Sequence, residues 1–514
     1  MNKNLYIELL FLIFLGAITS LSLPPFNYWI VNFFTFTLLF YILFKKIYIK
    51  KNKISYFLYG WSFGFGYFIS NLYWVSISLT FDSSFNYLIP FSIFLLPAFF
   101  GIFYGLISFF FIIAKSNKII SSFLFFSLIF GILEFVRGFL FTGFPWNLIV
   151  YSLSNQLEFL SILSITGTYG LNLLCISLFT SPALLLFRYS KKNISLLAFF
   201  IFLHFFFYIH GIFYEDKFNS AEKIKYDYKV RVLASNIGID RFFTNIDTVS
   251  VINDLIELSE PNKNEKTIFV WPEGILPDVS QKELIEYDWL FNEKFSENHL
   301  LILGINSQSY QNGHENYFNS LSLYDYKLNL LKSYNKIKLV PFGEFLPFKE
   351  FLSRIGLRAI TNQHHSFSKG KKREIIEIKK NNFSIRILPL ICYEIIYSGK
   401  IFDDNNFDLI INISEDGWFG DSIGPRQHFA HSIFRAIESG KYIIRSSNNG
   451  ITAIINPLGN IEQIVDFGKS GYIDYNENKK IQPTVFSIYG NKIFGFLILL
   501  YIFFIFSFNR FKNE

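Results

Sequence analysis

The sequence predicts a multi-span α-helical membrane domain joined to an α/β domain outside the cytoplasm. Three observations carry that prediction. Residues 1–214 and 493–508 are apolar runs broken by short polar patches, whereas residues 215–490 have an ordinary globular composition. Basic residues cluster in alternate gaps between the apolar runs. Within 215–490, strand-like runs alternate with polar, helix-compatible segments, the pattern of a layered α/β domain. The 514 residues suffice for two or three domains, and 51% hydrophobic content is too high for a soluble enzyme. The 67 Phe, with abundant Ile, Lys and Asn, read as a compositional bias of the source, so single Phe residues carry no weight. No nucleic-acid motif and no internal repeat stands out.

Apolar stretches of about 18 residues or more can cross a bilayer as helices. Seven such spans are expected before the globular part: 5–23, 28–44, 54–79, 87–114, 119–141, 159–187 and 194–214. An eighth, 493–508, is short but flanked by Lys492 and Arg510. The fourth and sixth are long enough to tilt or to contain re-entrant parts. The first also fits a signal peptide, with a weak cleavage site at 17–20, but further spans follow it directly.

Positive charge orients the spans. Lys3 precedes the first; Lys45, Lys46, Lys50, Lys51 and Lys53 follow the second; Lys115 and Lys118 follow the fourth. Arg188, Lys191 and Lys192 follow the sixth, and Arg510 and Lys512 the eighth. All fall on one side if the N-terminus is cytoplasmic. The expected division is therefore a membrane domain over 1–214, an extracytoplasmic domain over 215–490, and an eighth span with a cytoplasmic C-terminus over 491–514. This accounts for the net charge of +7.

The fifth span carries Glu134 and Arg137, three apart on one helical face. Such charges either pair with each other near the outer interface or mark function. The turn after them, Phe141-Thr142-Gly143-Phe144-Pro145-Trp146, places aromatics at the outer surface. Trp146 reads as an interfacial anchor or as the lining of a lipid entry.

In the outer domain, strands are expected at 230–235, 267–271, 300–305, 319–324, 383–391, 409–413, 442–445 and 451–455, and helices at 249–258 and 425–439. Three strand ends bear ionisable groups. Glu273 follows the second strand in Trp271-Pro272-Glu273-Gly274. Lys336, Lys338 and Glu344 surround a Pro/Gly turn in the run 334–344. Cys392 ends the apolar strand 383–391 and precedes Tyr393 and Glu394. Taken singly these are a surface carboxylate, a solvated lysine and a core thiol. Together they supply a nucleophile, a base and a cation, the minimum for acyl transfer through a thioester. The only other cysteine, Cys175, lies inside the sixth span and is out of reach of a disulfide with Cys392. A metal centre is not expected: His428 and His431 lack a third ligand at recognisable spacing, and His364-His365 are merely adjacent. Nor is there a Gly-x-Ser-x-Gly nucleophile elbow.

These motifs resemble a known family. Residues 228–465 resemble the carbon–nitrogen hydrolase (nitrilase) superfamily, and the whole chain resembles the apolipoprotein N-acyltransferase family of bacterial envelopes. The resemblance rests on Trp271-Pro272-Glu273, the run 334–347 with Leu-Val-Pro-Phe-Gly-Glu, Cys392-Tyr393-Glu394, and Asp416-Gly417-Trp418-Phe419-Gly420-Asp421. Gln427-His428-Phe429, Arg445-Ser446-Ser447-Asn448-Asn449-Gly450 and the membrane segment from Glu134 to Trp146 extend it. It implies a four-layer αββα fold with Glu273 as general base, Lys336 as catalytic lysine and Cys392 as nucleophile. It also implies supporting roles for Glu344, Tyr393 and Glu394, with Trp146 and Trp418 facing substrate or lipid. The implied partners are a membrane phospholipid as acyl donor, a diacylglyceryl apolipoprotein as acceptor, and the lipid bilayer, with no nucleic acid, metal or cofactor. The implied location is the bacterial inner membrane, with the catalytic domain periplasmic. Two departures are visible: Phe242-Phe243 stand where the family usually has a Trp, and Glu415-Asp416 where it usually has Asn-Asp. A membrane-tethered amidase shares the triad without needing the spans, and a transporter with a non-catalytic sensor domain needs the spans without the triad.

Overall fold

The computed structural model describes residues 3–47, 52–114, 118–187, 189–244, 246–311, 314–348, 350, 354, 366–380, 383–399 and 405–510. Lys50, Lys51, Lys115, Arg188, Lys512 and the His364-His365 pair lie outside the described residues.

The first part is a helical bundle: α1 Lys3–Thr19, α2 Val31–Lys46, α3 Lys53–Leu72, α4 Ile89–Ala114, α5 Ile119–Arg137, α6 Leu163–Thr180 and α7 Lys191–Asn219. Among the described residues, six helices are long and apolar enough to cross a membrane: Asn4–Ser22, Ser83–Ala114, Ile119–Arg137, Leu163–Phe187, Lys191–Asn219 and, near the end, Lys492–Arg510. The 16-residue α2 and the glycine-containing α3 are outside that set. Yet α3 is packed tightly between α1 and α4. A β-carbon on Gly66 would lie 1.9 Å from the Ile13 carbonyl oxygen, and one on Gly60 2.0 Å from that of Tyr104. Small residues allow this backbone approach where lipid offers no hydrophobic drive between helices. Outward faces remain apolar: Phe202, Phe206 and Phe213 on α7 and Leu499, Phe503 and Phe506 on Lys492–Arg510 are exposed.

The basic helix ends gather at one end of the bundle. Phe40 of α2 packs on Phe111 of α4 and Phe123 of α5, and Phe123 on Phe200 of α7. Lys46 pairs with Glu8 of α1 at 2.6 Å, a carboxylate that sequence reading passed over. Lys118 donates to the Asn509 carbonyl at 2.6 Å.

Three expected spans end differently from their hydropathy. The third stops as an α-helix at Leu72 and continues as a 3-10 helix, Tyr73–Thr80, because that segment packs on the outer domain. Trp74 meets the Phe419 ring edge-on at 4.8 Å. The fifth ends at Arg137. The sixth is broken: a short helix Leu157–Leu160 precedes α6, and Gly167 interrupts α6 with φ 65°. A β-carbon there would lie 2.0 Å from the Phe486 ring.

The outer domain holds two six-stranded sheets. Strands β1 Lys223–Ala234, β2 Thr267–Val270, β3 His299–Gln311, β4 His314–Asp325, β5 Leu330–Asn335 and β12 Gly471–Lys479 form one, in the order β12-β1-β2-β3-β4-β5. Strands β6 Ile376–Lys380, β7 Phe383–Ile391, β8 Leu409–Glu415, β9 Tyr442–Asn448, β10 Thr452–Ile455 and β11 Ile461–Val465 form the other, in the order β11-β10-β9-β8-β7-β6. Each has three adjacent parallel strands, β1-β2-β3 and β7-β8-β9, flanked by antiparallel ones. The sheets meet through β1 and β9, where Ser446 Oγ donates to the Leu233 carbonyl at 2.7 Å. Alternation divides the apolar residues between two cores. Ile268 and Val270 face the core continuous with the membrane helices. Phe269 and Trp271 face a second core under α8 Thr248–Ser259 and α9 Asp288–Lys294. Helix α10, Gly424–Ser439, is buried along nearly its whole length.

α10 also fastens the domain to the bundle. Because Gly167 breaks α6, the Thr168 N–H loses its helical acceptor; Glu438 Oε1 accepts it at 2.7 Å, together with the Thr168 hydroxyl at 2.7 Å. Arg435 pairs with Glu438 at 2.8 Å and reaches the Thr168 hydroxyl and the Ile396 carbonyl. A carboxylate at a restarted helix N-terminus is favourably placed.

Candidate active site

The nucleophile candidate stands on a strained turn. Strand β7 delivers Cys392 with φ 45°, a left-handed conformation that costs energy for a residue with a β-carbon and is retained at functional sites. Glu394 holds this turn. Its carboxylate accepts the Ile391 N–H at 2.9 Å, the Tyr334 hydroxyl at 2.8 Å, and the Ile337 and Lys338 N–H groups at 2.9 and 3.2 Å. Arg373 pairs with it at 3.0 Å. One buried side chain thus ties the cysteine turn to the segment that carries the lysine.

Lys336 follows β5 and is buried, its ammonium 3.1 Å from Glu273 Oε1 and 2.9 Å from Glu344 Oε1. Asn319 of β4 donates to the same two oxygens at 2.6 and 2.8 Å, while its carbonyl accepts the Lys336 N–H at 2.9 Å. The second oxygen of Glu273 accepts the Glu415 N–H at 2.9 Å, and that of Glu344 accepts the Val340 N–H at 2.8 Å. The sequence reading grouped Glu273, Lys336, Glu344 and Cys392, and the fold brings them together. It did not single out Asn319; the only trace was a polar residue at the start of an expected buried strand.

Burial opposes the charge on Lys336, but Glu273 and Glu344 outweigh it and hold the ammonium well above its ordinary pKa. Burial pushes the Cys392 thiol well up and the Glu273 charge adds to this, with Lys336 pulling the other way. The Cys392 side chain is thus held toward its thiol form, with the Glu273 carboxylate among the groups that act on it.

Near Cys392 lies a second polar cluster. Asp416 accepts from His428 Nδ1 at 2.9 Å, from Ser414 at 2.7 Å and from Arg445 at 2.7 Å. Burial opposes ionisation of Asp416, but Arg445 and His428 keep its carboxyl below the ordinary range. His428 and His431 sit among aromatic rings; Trp146 stacks on His428 with centroids 5.2 Å apart.

The membrane segment reaches the same turn. Tyr393 and Tyr397 donate to the Gly143 carbonyl at 3.0 and 2.9 Å. Arg137, paired with Glu134 at 2.8 Å, donates to the Phe144 and Asn147 carbonyls at 2.5 and 3.3 Å. The Glu134–Arg137 pair is thus buried and braces the turn that follows. Trp146 is only 3% exposed, stacked between Phe144 and His428, its indole N–H donating to Gln427 at 2.9 Å. Trp418 is half-buried against Phe242, Phe243 and Phe81.

Residues 268–475 match the carbon–nitrogen hydrolase family and residues 15–180 the apolipoprotein N-acyltransferase N-terminal domain. The class is thus a carbon–nitrogen hydrolase domain built onto a helical membrane base. The apolipoprotein N-acyltransferase of Rickettsia prowazekii is 33% identical over 96% of this chain and 95% of its own length. That of Rickettsia typhi is 32% identical, also over 96% and 95%. That of Rhodopseudomonas palustris is 29% identical over 94% and 92%. The chain belongs to the apolipoprotein N-acyltransferase family. Among solved structures, an amidase mutant from Nesterenkonia sp. AN1 is 12% identical, covering 52% of this chain and 94% of its own, with TM-score 0.35. A Saccharomyces cerevisiae nitrilase-superfamily protein is 17% identical, covering 50% and 93%, also with TM-score 0.35.

Proposed function

We infer that this chain acylates the N-terminal amine of diacylglyceryl apolipoprotein through a thioester on Cys392, with a membrane phospholipid as donor. The observation that carries the reading is the buried Lys336 bridging Glu273 and Glu344 beside Cys392, on a turn whose Tyr393 is bonded to the membrane segment.

Glu273 takes the Cys392 proton as sulfur attacks the ester carbonyl. Lys336 and backbone N–H groups near Cys392 stabilise the tetrahedral oxyanion. The C–O bond breaks, the proton passes to the lysophospholipid oxygen, and an acyl thioester remains. The acceptor's amine then attacks; the C–N bond forms, the C–S bond breaks, and Glu273 returns the amine proton to sulfur. Glu344 and Asn319 keep Lys336 and Glu273 in register, and Glu394 fixes the nucleophile turn. The product amide is more stable than the thioester, so the second half runs forward.

Both substrates are lipids, which explains a catalytic domain fused to a membrane bundle. In this reading eight helices cross the inner membrane, both termini are cytoplasmic, and residues 215–490 form a periplasmic αββα sandwich between the seventh and eighth spans. The gathered basic helix ends support that orientation. Half-buried Trp418 lines the lipid-facing wall, where water must be kept from the thioester, and the buried Trp146 backs that wall from inside rather than facing lipid itself.

The test is the intact mass of purified protein after incubation with phospholipid. Added mass of one acyl chain, removed by hydroxylamine and lost in Cys392→Ser, is expected. No adduct, with ammonia released from a small amide instead, would replace this reading by a membrane-tethered amidase.

A further inference from the structure

Two charged side chains outside the Lys336 cluster, Arg241 and Glu415, meet beside Glu273. Arg241 lies in the 3-10 turn Ile239–Phe242, next to the Phe242-Phe243 pair, and Glu415 ends β8. They form a fully buried ion pair, each side chain at most 2% exposed. Arg241 uses the rest of its fork on backbone: Nε and Nη2 donate to the Gly274 carbonyl at 3.1 Å each, and Nη1 to the Gly238 carbonyl at 2.8 Å. The Glu415 carboxylate also accepts from Asn448 at 2.7 Å and from the Gly417 N–H at 2.7 Å.

Both partners adjoin Glu273. Gly274 is its chain neighbour, and the Glu415 N–H donates to Glu273 Oε2 at 2.9 Å. The Arg241 guanidinium also lies 4.5 Å from the Phe242 ring centroid, and that ring packs 5.0 Å from Trp418. Gly274, with φ 60°, is the close neighbour of Phe242: a β-carbon there would lie 3.1 Å from its ring.

We propose that the Arg241–Glu415 pair is a positioning clamp on Glu273, holding the backbone on both sides of the base while seating Phe242 under Trp418. The clamp rests on the assignment of Glu273 as base. Arg241 touches no reacting atom and acts through the Gly274 carbonyl and the strand end at Glu415. Its loss therefore slows proton transfer more than it weakens lipid binding.

The experiment follows Cys392 acylation by intact mass in full-length protein across a range of phosphatidylethanolamine in mixed micelles. Arg241→Met is expected to lower the maximal acylation rate by about 10²-fold at an unchanged half-saturating lipid concentration, as for a sub-ångström misplacement of a reacting group. Arg241→Met with Glu415→Gln is expected to recover about tenfold over Arg241→Met alone, because it removes the buried carboxylate left without a partner. Should Arg241→Met not fold, Arg241→Lys, which keeps the charge but not the fork to Gly274, is expected about tenfold slower than wild type. Arg241→Met or Arg241→Lys at wild-type speed, or a double variant no faster than Arg241→Met, overturns the clamp. Glu273→Gln separates the two readings. It should acylate hardly at all; wild-type acylation there would overturn the base assignment and the clamp with it.

Discussion

Two buried charge clusters border the turn that begins at Cys392, and they are built differently. In Glu273–Lys336–Glu344, one ammonium is shared by two carboxylates, and one of these stands beside a thiol. In Arg435–Glu438, the carboxylate accepts from Ser398 of its own domain and is paired with Arg435, while both members of the pair bond Thr168 and so hold the domain to α6. Both clusters bear the desolvation cost of buried charge. Burial of charge therefore does not distinguish a reactive site from a joint. The distinction lies in the neighbour: a strained cysteine at one cluster, the restarted end of a membrane helix at the other.

Removing the cation of the first cluster should have the largest effect. Lys336→Met is expected to reduce Cys392 acylation by about 10³-fold, the scale of losing an oxyanion donor. Acylation of Lys336→Met within tenfold of wild type would make this cluster a second joint. The other cluster should respond oppositely. Glu438→Ala leaves Arg435 buried without a counter-ion and frees the Thr168 N–H. It is expected to cost about 3–5 kcal/mol of stability in thermal or denaturant unfolding, while alkylation of Cys392 by a small thiol reagent in the folded protein keeps its rate. A loss of Cys392 reactivity with no loss of stability would erase the contrast.

Only one side of this contrast was legible in the sequence: the residues of the first cluster were singled out there, whereas Arg435, Glu438 and Thr168 were not. The interior strands were expected close to where they lie: 383–391 coincides with β7, and 267–271 and 409–413 fall within two residues of β2 and β8. Strands β5, β6, β11 and β12 were not expected, and they are the four edges of the two sheets. Edge strands mix charge into their pattern, as Ile376–Lys380 and the mostly exposed Ile461–Val465 do, so they lack the apolar run of a buried strand. In the site, Glu273 and Cys392 were singled out because each follows an apolar strand run, whereas Lys336 was singled out beside a Pro/Gly turn and preferred to Lys338 only through the family resemblance. Asn319 and Arg241 were not singled out, because their contribution lies in bonds to groups far away in the chain. Gly167 shows the same limit: the apolar run 159–187 reads as continuous, and only the Phe486 ring and the Glu438 carboxylate explain its break.

A smaller test concerns the link between the nucleophile turn and the bundle. Tyr393→Phe deletes the bond to the Gly143 carbonyl and leaves the ring. It is expected to cost about 1 kcal/mol in unfolding experiments. It should also slow acylation from phospholipid more than alkylation by a small thiol reagent, because only the lipid needs the membrane turn in register. Equal effects on both would mean that the bond serves the turn alone.

The last test reads a buried charge through the pH dependence of stability. The folded protein holds the Asp416 carboxyl below its ordinary value of about 3.9. Between the folded and the ordinary value, the unfolded chain binds the proton and the folded chain does not, so falling pH favours unfolding. The stability that Asp416 contributes is thus complete above about pH 5 and lost as pH falls through and below about 4. Asp416→Asn removes the charge facing Arg445 and His428 and should melt below wild type at pH 7. The gap between the two should narrow as pH drops from about 5 to 3, because the unfolded wild-type chain takes up a proton at Asp416 that the folded protein does not, which lowers the stability of the wild type alone. A gap that stays constant over that range would show that Asp416 acts by hydrogen-bond shape alone, and would place this cluster with the joint rather than with the charged site.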